Sequence, residues 1–276
     1  MGRWTEVPLV GFDTETTGLS VTEDRIFEIA LVTFQGGELV DPYAMLLDPM
    51  RPLSEASREK TGIRDEDLQG RPVFQTMAPE IADRIRDQVL VGYNVLEYDL
   101  PLLRAELARV GMDLPPCRVV DVLVLARGLG LKDDQGRRIR LRLEDVVRFF
   151  EVPMGTAHRA TADAEATVRL LYAMASRLPE DLDDLLNLQA QWQAQQRAER
   201  SRWRGRGEGE GGREALLRTG AEPTVLRDAE GRVSLGPSYL YGREPDPLRA
   251  ILKAWFDTVD ASRSGSASGT VPGSET

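Results

Sequence analysis

An apolar run stops abruptly at two acids in Val7-Pro8-Leu9-Val10-Gly11-Phe12-Asp13-Thr14-Glu15-Thr16-Thr17-Gly18-Leu19. Apart from Pro8 at its start and Gly11 beside the acids, residues 7–12 read as a strand buried on both faces. Asp13 and Glu15 lie two apart at its end, and because side chains alternate along a strand, both carboxylates point to the same side. At about 4 Å two such charges repel by roughly 4 kcal/mol at an effective dielectric near 20, so folding alone gives no reason to place them together. A divalent cation between them would remove the penalty. On the dipeptide alone the simpler reading is a capped turn opened by Asp13 and Thr14 and closed by Gly18, with the acids pointing separately into water.

Downstream, residues 26–34 and 38–47 read as two strands joined through Gln35-Gly36-Gly37. Pro49, Pro52 and the polar stretch 54–70 read as a long connection. Residues 77–86 have helical spacing, and 88–92 supply a short strand around Val89-Leu90-Val91. That strand runs into Gly92-Tyr93-Asn94-Val95-Leu96-Glu97-Tyr98-Asp99, after which Leu100, Leu103, Leu107 and Val110 recur at helical intervals. Asp99 therefore sits at a helix start, where an aspartate is also an ordinary N-cap.

Residues 119–126, with Asp121 inside them, form a strand or a strand-to-helix passage. Lys132, Arg137, Arg138, Arg140 and Arg142 make 128–142 the densest basic segment before the C-terminal region, either a phosphate-steering loop or a solvated face. A short helix over 143–150 follows. His158 then lies in a loop and Asp163 in the first turn of an alanine-rich helix that can lie close against a sheet, a place where an acid also complements the helix dipole.

Beyond Arg177 the character changes. Pro179 opens a polar helix over 180–203 with a thin stripe of Leu182, Leu185, Leu188 and Trp192, and residues 205–212 are a Gly/Glu/Arg linker. Residues 225–227 and 232–235 flank a small hairpin turn. Leu248, Ile251, Leu252, Trp255 and Val259 share one face of a further helix, and the Ser/Gly-rich tail is expected to be disordered. The division is 1–177, 178–204, 205–212, 213–260 and 261–276.

The chain has 276 residues, a net charge of −10, one cysteine and one histidine. A lone Cys117 excludes an internal disulfide and a cysteine zinc site. The acidic balance argues against a protein that coats nucleic acid through a broad basic face, but not against a small grip beside a metal site. His158 is the single candidate for acid–base work near neutral pH. Acids at 13, 15, 23 and 24 interrupt any signal peptide, and no run approaches the ~18 apolar residues of a membrane span, so a cytoplasmic protein with no membrane partner is expected.

Singly each acid has a dull explanation, but their order forms a pattern: Asp-x-Glu on a first strand, an Asp at a later helix start, then His-x-x-x-x-Asp before a last helix. This resembles the DEDD exonuclease superfamily in its histidine-bearing branch, to which the proofreading (epsilon) subunits of bacterial replicative polymerases belong. Asp13-Thr14-Glu15-Thr16-Thr17-Gly18 matches the first motif and His158 with Asp163 the third, over roughly residues 5 to 176. The second motif departs from the proofreading form. Tyr93-Asn94 stands where His-Asn is usual, with one extra residue before Asp99, and is similar to the Gly-Tyr-Asn form of exonuclease I-like members.

The resemblance implies a ribonuclease H-like α/β fold, a mixed β-sheet flanked by helices, here with a mainly helical C-terminal extension. It implies a metal-dependent 3′-to-5′ exonuclease acting on single-stranded or frayed DNA ends, in proofreading or repair, and releasing nucleoside 5′-monophosphates. Two Mg²⁺ or Mn²⁺ ions would be held by Asp13, Glu15, Asp99 and Asp163, with Asp13 shared, Glu15 and Asp163 on the ion carrying the attacking water, and His158 as general base. Thr14, Thr16, Thr17, Gly18, Leu19, Tyr93 and Asn94 would contact the substrate. Two alternatives stand beside this: an RNA-directed exonuclease of the same superfamily, and a module tethered by its C-terminal helices to a polymerase or repair complex.

Overall fold

The computed structural model describes residues 2–206, 225–227 and 233–235. The chain divides after Arg213. In the first unit the strands β1 (Leu9–Thr16), β2 (Ile26–Gln35), β3 (Glu38–Leu46), β4 (Val89–Gly92) and β5 (Arg118–Asp121) form one sheet in the order β3-β2-β1-β4-β5. β1 pairs antiparallel with β2 and parallel with β4, so the sheet is mixed, with a hairpin edge on one side and crossover connections on the other. The helices are α1 (Glu55–Thr61), α2 (Asp65–Leu68), α3 (Phe74–Ile85), α4 (Asp99–Arg109), α5 (Val122–Gly128), α6 (Leu143–Phe149), α7 (Ala160–Ala173) and α8 (Leu182–Arg206).

Strand alternation sorts the core into two layers. Val10 and Phe12 of β1 turn towards α3 and α4, while Leu9 turns towards α7 and α5. Gly11 shares Leu9's face, and a Cβ there would lie 2.8 Å from the Ala164 carbonyl oxygen, so α7 rests almost directly on β1. The alanines of α7 and a glycine on the strand beneath it allow that approach.

β1 runs four residues beyond the expected 7–12 end, so Asp13 and Glu15 lie within the strand, opposite Ala30 and Glu28 of β2. The pairing with β2 continues past the parallel ladder with β4, which explains why the apolar run did not mark the end. The stretch 54–70, expected as a plain connection, holds α1 and α2. Ser54 caps α1 by accepting from the Ser57 N–H, and Gly62 closes it in the left-handed region at φ 74°. α3 starts at Phe74 rather than 77, and carries Pro79 in its interior.

α8 docks on β5 and α5. Leu182 and Leu185 are buried, but glutamines continue the face: Gln189, Gln193 and Gln196 are buried as well. Gln189 accepts from the Asp121 N–H at 2.7 Å and donates to the Val119 carbonyl at 3.0 Å, so one side chain does for the free edge of β5 what a neighbouring strand would. Gln196 donates to the Val124 carbonyl at 3.0 Å. Further along, a Cβ on Gly128 would lie 2.1 Å from the Trp192 ring, which packs into the space that the glycine leaves.

In the second unit Val225–Arg227 pairs antiparallel with Val233–Leu235, as expected for the small hairpin. Of the expected linker 205–212, Gly205 and Arg206 instead continue α8, and its remainder, the hairpin turn, the helix carrying Leu248 to Val259 and the tail lie outside the described residues.

Candidate active site

Alternation along β1 decides which helix meets which acid. Asp13 and Glu15 face α7, and Thr14 between them faces α4. Asp99, first residue of α4, accepts from both the Thr14 N–H (3.1 Å) and the Thr14 hydroxyl (2.6 Å) on its Oδ1, so it is tied to β1 rather than capping its own helix. On the other face α7 brings Asp163, preceded by His158. Ligand atoms of Glu15, His158 and Asp163 all lie within 4.8 Å of one another. Asp13 stands among Asp99, Asp163 and Glu15, each close enough to oppose its ionisation. The four acids and the histidine singled out in the sequence therefore surround the last turn of one strand.

Their electrostatics follow from burial of like charges. Asp13 stays partly open to solvent, yet burial of its carboxyl, then Asp99, Asp163 and Glu15, raise its pKa well above the ordinary range. Burial lifts Glu15 to about 7 even though Lys60 pulls it down. Burial likewise lifts Asp99 to about 6 against its Thr14 hydrogen bonds, and Asp163 to about 6 against the opposing pull of His158.

Lys60 is the residue that sequence reasoning missed. Its Nζ lies 3.1 Å from Glu15 Oε2 and 3.3 Å from Oε1. Delivery is local: the Ser57 hydroxyl donates to the Thr16 carbonyl at 2.8 Å, pinning α1 to the end of β1, and Lys60 follows one turn later. Ser54 as N-cap and Gly62 as closing glycine were the signals that could have revealed α1.

The loop before α7 is held in an unusual conformation. His158 has φ 62°, and its Nε2 lies 3.7 Å from Glu144 Oε1 of α6. Beside it, Arg159 grips the buried Glu28 through its Nε and Nη2 at 2.9 to 3.3 Å, which fixes the entry into α7.

The other expected site residues are placed as follows. Thr16 donates its hydroxyl to the Gly18 carbonyl (2.7 Å), which also accepts from the Tyr98 hydroxyl (2.6 Å). Thr17 donates its hydroxyl to Asp24 at 2.8 Å, and a Cβ on Gly18 would strike that same carboxylate. Leu19, just beyond, is 84% exposed. Tyr93 donates its hydroxyl to the Leu141 carbonyl at 3.0 Å, and Asn94 turns at φ 63° while its N–H donates to Asp121. Asp121 also receives the Leu96, Leu123 and Val124 N–H groups, so one buried carboxylate shapes the turn that leads to Asp99 and caps α5.

The donor set fits hard divalent cations. Asp163 Oδ1 is buried without a hydrogen-bond partner, an arrangement that is costly unless something positive completes it. Around it are carboxylate oxygens, the ligands that Mg²⁺ and Mn²⁺ take.

A mixed five-stranded sheet with helices on both faces defines a ribonuclease H-like fold, here with a cluster of acids where its central strand ends. More particularly, the chain belongs to the exonuclease family (RNase T type), whose model matches residues 10–171, more than half of its length. It is 35% identical over 173 residues to a PolC-type DNA polymerase III of Halalkalibacterium halodurans, covering 62% of this chain and 12% of that protein. The PolC-type enzyme of Bacillus subtilis is 34% identical over 171 residues, covering 61% and 11%. The chain thus spans about an eighth of the length of these relatives. Among solved structures, E. coli exonuclease I with a dA16 oligonucleotide shares the fold at a TM-score of 0.54 and 19% identity, covering 62% of this chain and 41% of that one. The zinc-bound exonuclease I–single-stranded DNA complex from E. coli gives 0.55 and 18%, covering 62% and 41%.

No helix among the described residues is long and apolar enough to cross a membrane.

Proposed function

We propose that the chain is a divalent-metal-dependent 3′-to-5′ exonuclease that removes nucleoside 5′-monophosphates from single-stranded or frayed DNA ends. The observation that carries this is the convergence of Glu15, His158 and Asp163 within 4.8 Å, with an unpartnered buried oxygen on Asp163. In this reading Asp13, Glu15, Asp99 and Asp163 would hold two Mg²⁺ or Mn²⁺ ions. Such a pair, when bound, activates water and stabilises the leaving oxygen of a phosphodiester.

The chain's own residues do the rest. Thr14 keeps Asp99 aimed at the end of β1 through its two hydrogen bonds. Lys60 pairs with Glu15 in the absence of metal, offsetting part of the repulsion among the acids while competing for the carboxylate that an ion would take. His158, loosely held by Glu144 and open to solvent on one side, accepts the proton of the attacking water. Tyr98 and Thr16 fix the Gly18 carbonyl, so that Leu19 presents an apolar face at the rim on which a terminal base can rest. Tyr93, tied to the Leu141 carbonyl, and Asn94, tied to Asp121, would contact the substrate in this reading.

Support for DNA as substrate comes from the polymerase relatives and from the oligonucleotide held by exonuclease I. The relatives' identity as polymerases also favours a second setting, in which the chain works beside a polymerase. The test uses 3′-labelled single- and double-stranded DNA and RNA, each with Mg²⁺, Mn²⁺ or chelator. Labelled mononucleotide should appear from DNA with either metal and not with chelator. RNA cleaved as fast as DNA would replace the DNA assignment, and activity that survives chelator would remove the metal from the account.

A further inference from the structure

Cations around the acids are already engaged: Lys60 with Glu15, Arg159 with Glu28, Arg25 with Glu106 and Arg51 with Asp24. The connection between α5 and α6 differs. Residues 138–143 read Arg-Ile-Arg-Leu-Arg-Leu. Arg138, Arg140 and Arg142 are exposed, while Ile139, Leu141 and Leu143 pack against the core below. Alternation with period two belongs to an extended ribbon whose side chains leave on opposite sides.

The ribbon is anchored on its apolar side. The Ile139 N–H donates to the Leu131 carbonyl at 3.2 Å, Tyr93 donates to the Leu141 carbonyl at 3.0 Å, and Arg142 is extended (φ −82°, ψ 150°) as it opens α6. Arg137, just before it, is engaged by Asp133 at 2.9 Å. Arg138, Arg140 and Arg142 have no ion pair among the described residues. In a chain of net charge −10, three guanidinium groups in line without a carboxylate stand out from the pairing found elsewhere. The ribbon also leads into the site, because Glu144, two residues past Arg142, lies 3.7 Å from His158.

We propose that the ribbon 138–142 holds the phosphate backbone of the strand whose 3′ end reaches the acids; this rests on the nuclease reading above. Side chains two apart on an extended segment are separated by about 6.6 Å, on the order of the distance between successive phosphates of an extended strand. Each guanidinium can pair two phosphate oxygens in its fork. Such contacts read backbone and not base, so the grip is independent of sequence.

The test compares the full chain with the triple variant R138Q/R140Q/R142Q and the triple lysine variant. One readout is binding of a fluorescent 20-nucleotide dT strand in Ca²⁺ at several salt concentrations, and the other is turnover of the p-nitrophenyl ester of thymidine 5′-monophosphate in Mn²⁺. The glutamine variant should bind the strand at least tenfold more weakly, with a salt slope shallower by about 2, at roughly 0.7 per lost single-strand phosphate contact. Its turnover of the small ester should match the parent, and lysine should restore part of the binding. Unchanged strand binding and slope in the glutamine variant would overturn the proposal while leaving the nuclease reading intact, as would a parent that cleaves the ester but does not bind the strand. A parent that binds the strand through the ribbon but hydrolyses neither ester nor DNA would overturn the nuclease reading alone.

Discussion

Replacing Glu15 by glutamine should make the metal-free protein more stable at pH 8, although it destroys part of the site. Burial raises the Glu15 pKa from 4.5 to about 7 in the folded protein, against the opposing pull of Lys60. The folded state therefore binds this proton more tightly than the unfolded state. That contribution to stability is complete below about pH 4.5 and is lost as pH rises through about 7. A shift of that size, at about 1.4 kcal/mol per unit, corresponds to about 3 kcal/mol withdrawn by pH 8. Glutamine has no proton to lose and also relieves Asp13 of a like charge. Lys60 loses its partner, but its side chain is 51% exposed and can turn to water, which limits that loss to about 1 kcal/mol. The net gain is about 2 kcal/mol, or a Tm higher by roughly 4–8 °C for a unit of this size. Calorimetric melts with chelator at pH 5 and pH 8 would show the gap opening with pH. A variant that melts no higher than the parent at pH 8, or by the same margin at both values, would refute the reasoning. Adding Mn²⁺ should stabilise the parent more than the variant, because the ion favours the ionised carboxylate.

Four further outcomes are expected. Asp99 and Asp163, both raised to about 6 chiefly by burial, should make the metal-free parent lose stability between about pH 4 and pH 7, which melts across that range would show. Lys60→Met removes the cation that competes for Glu15, so calorimetric titration should show Mn²⁺ binding tightened, and weakened binding would count against that role. Gly128→Ala drives a Cβ into the Trp192 ring and should cost about 2 kcal/mol in urea melts, whereas an unchanged midpoint would mean that α8 is not seated there. Gln189→Ala leaves the Asp121 N–H and Val119 carbonyl at the β5 edge without their partner and should cost about 2 to 4 kcal/mol by the same assay.

What the sequence conveyed and what it hid have physical causes. The period of two placed Asp13 and Glu15 on one side of a strand, but singly they read as a turn and Asp163 as a helix-dipole residue, and only the spacing of all the acids with His158 set them together. Thr14 was expected at the substrate, and its tie to Asp99 depends on α4 lying on the opposite face of β1, which no local pattern reveals. Lys60 was hidden because Glu55-Ala56-Ser57-Arg58-Glu59-Lys60-Thr61 has no apolar stripe: α1 is held by its cap and by Ser57 reaching Thr16, not by a hydrophobic face. α8 was read as a thinly apolar helix because its buried glutamines look like solvent-facing residues until the open edge of β5 is beside them. The alternation in Arg138-Ile139-Arg140-Leu141-Arg142-Leu143 was in plain view but was masked by its charge.

The central claim is that four carboxylates and a histidine at the end of β1 hydrolyse a strand from its 3′ end with divalent metal. It is tested most directly by following a 5′-labelled 20-nucleotide single strand in Mn²⁺ with the parent, Asp13→Asn and His158→Ala, each shown to be folded by circular dichroism. The parent should give a ladder that shortens one nucleotide at a time from the 3′ end, and both variants should lose nearly all of that activity. Loss of the label as a free mononucleotide, internal cuts, or a folded Asp13→Asn chain that degrades the strand at the parent's rate would contradict the account.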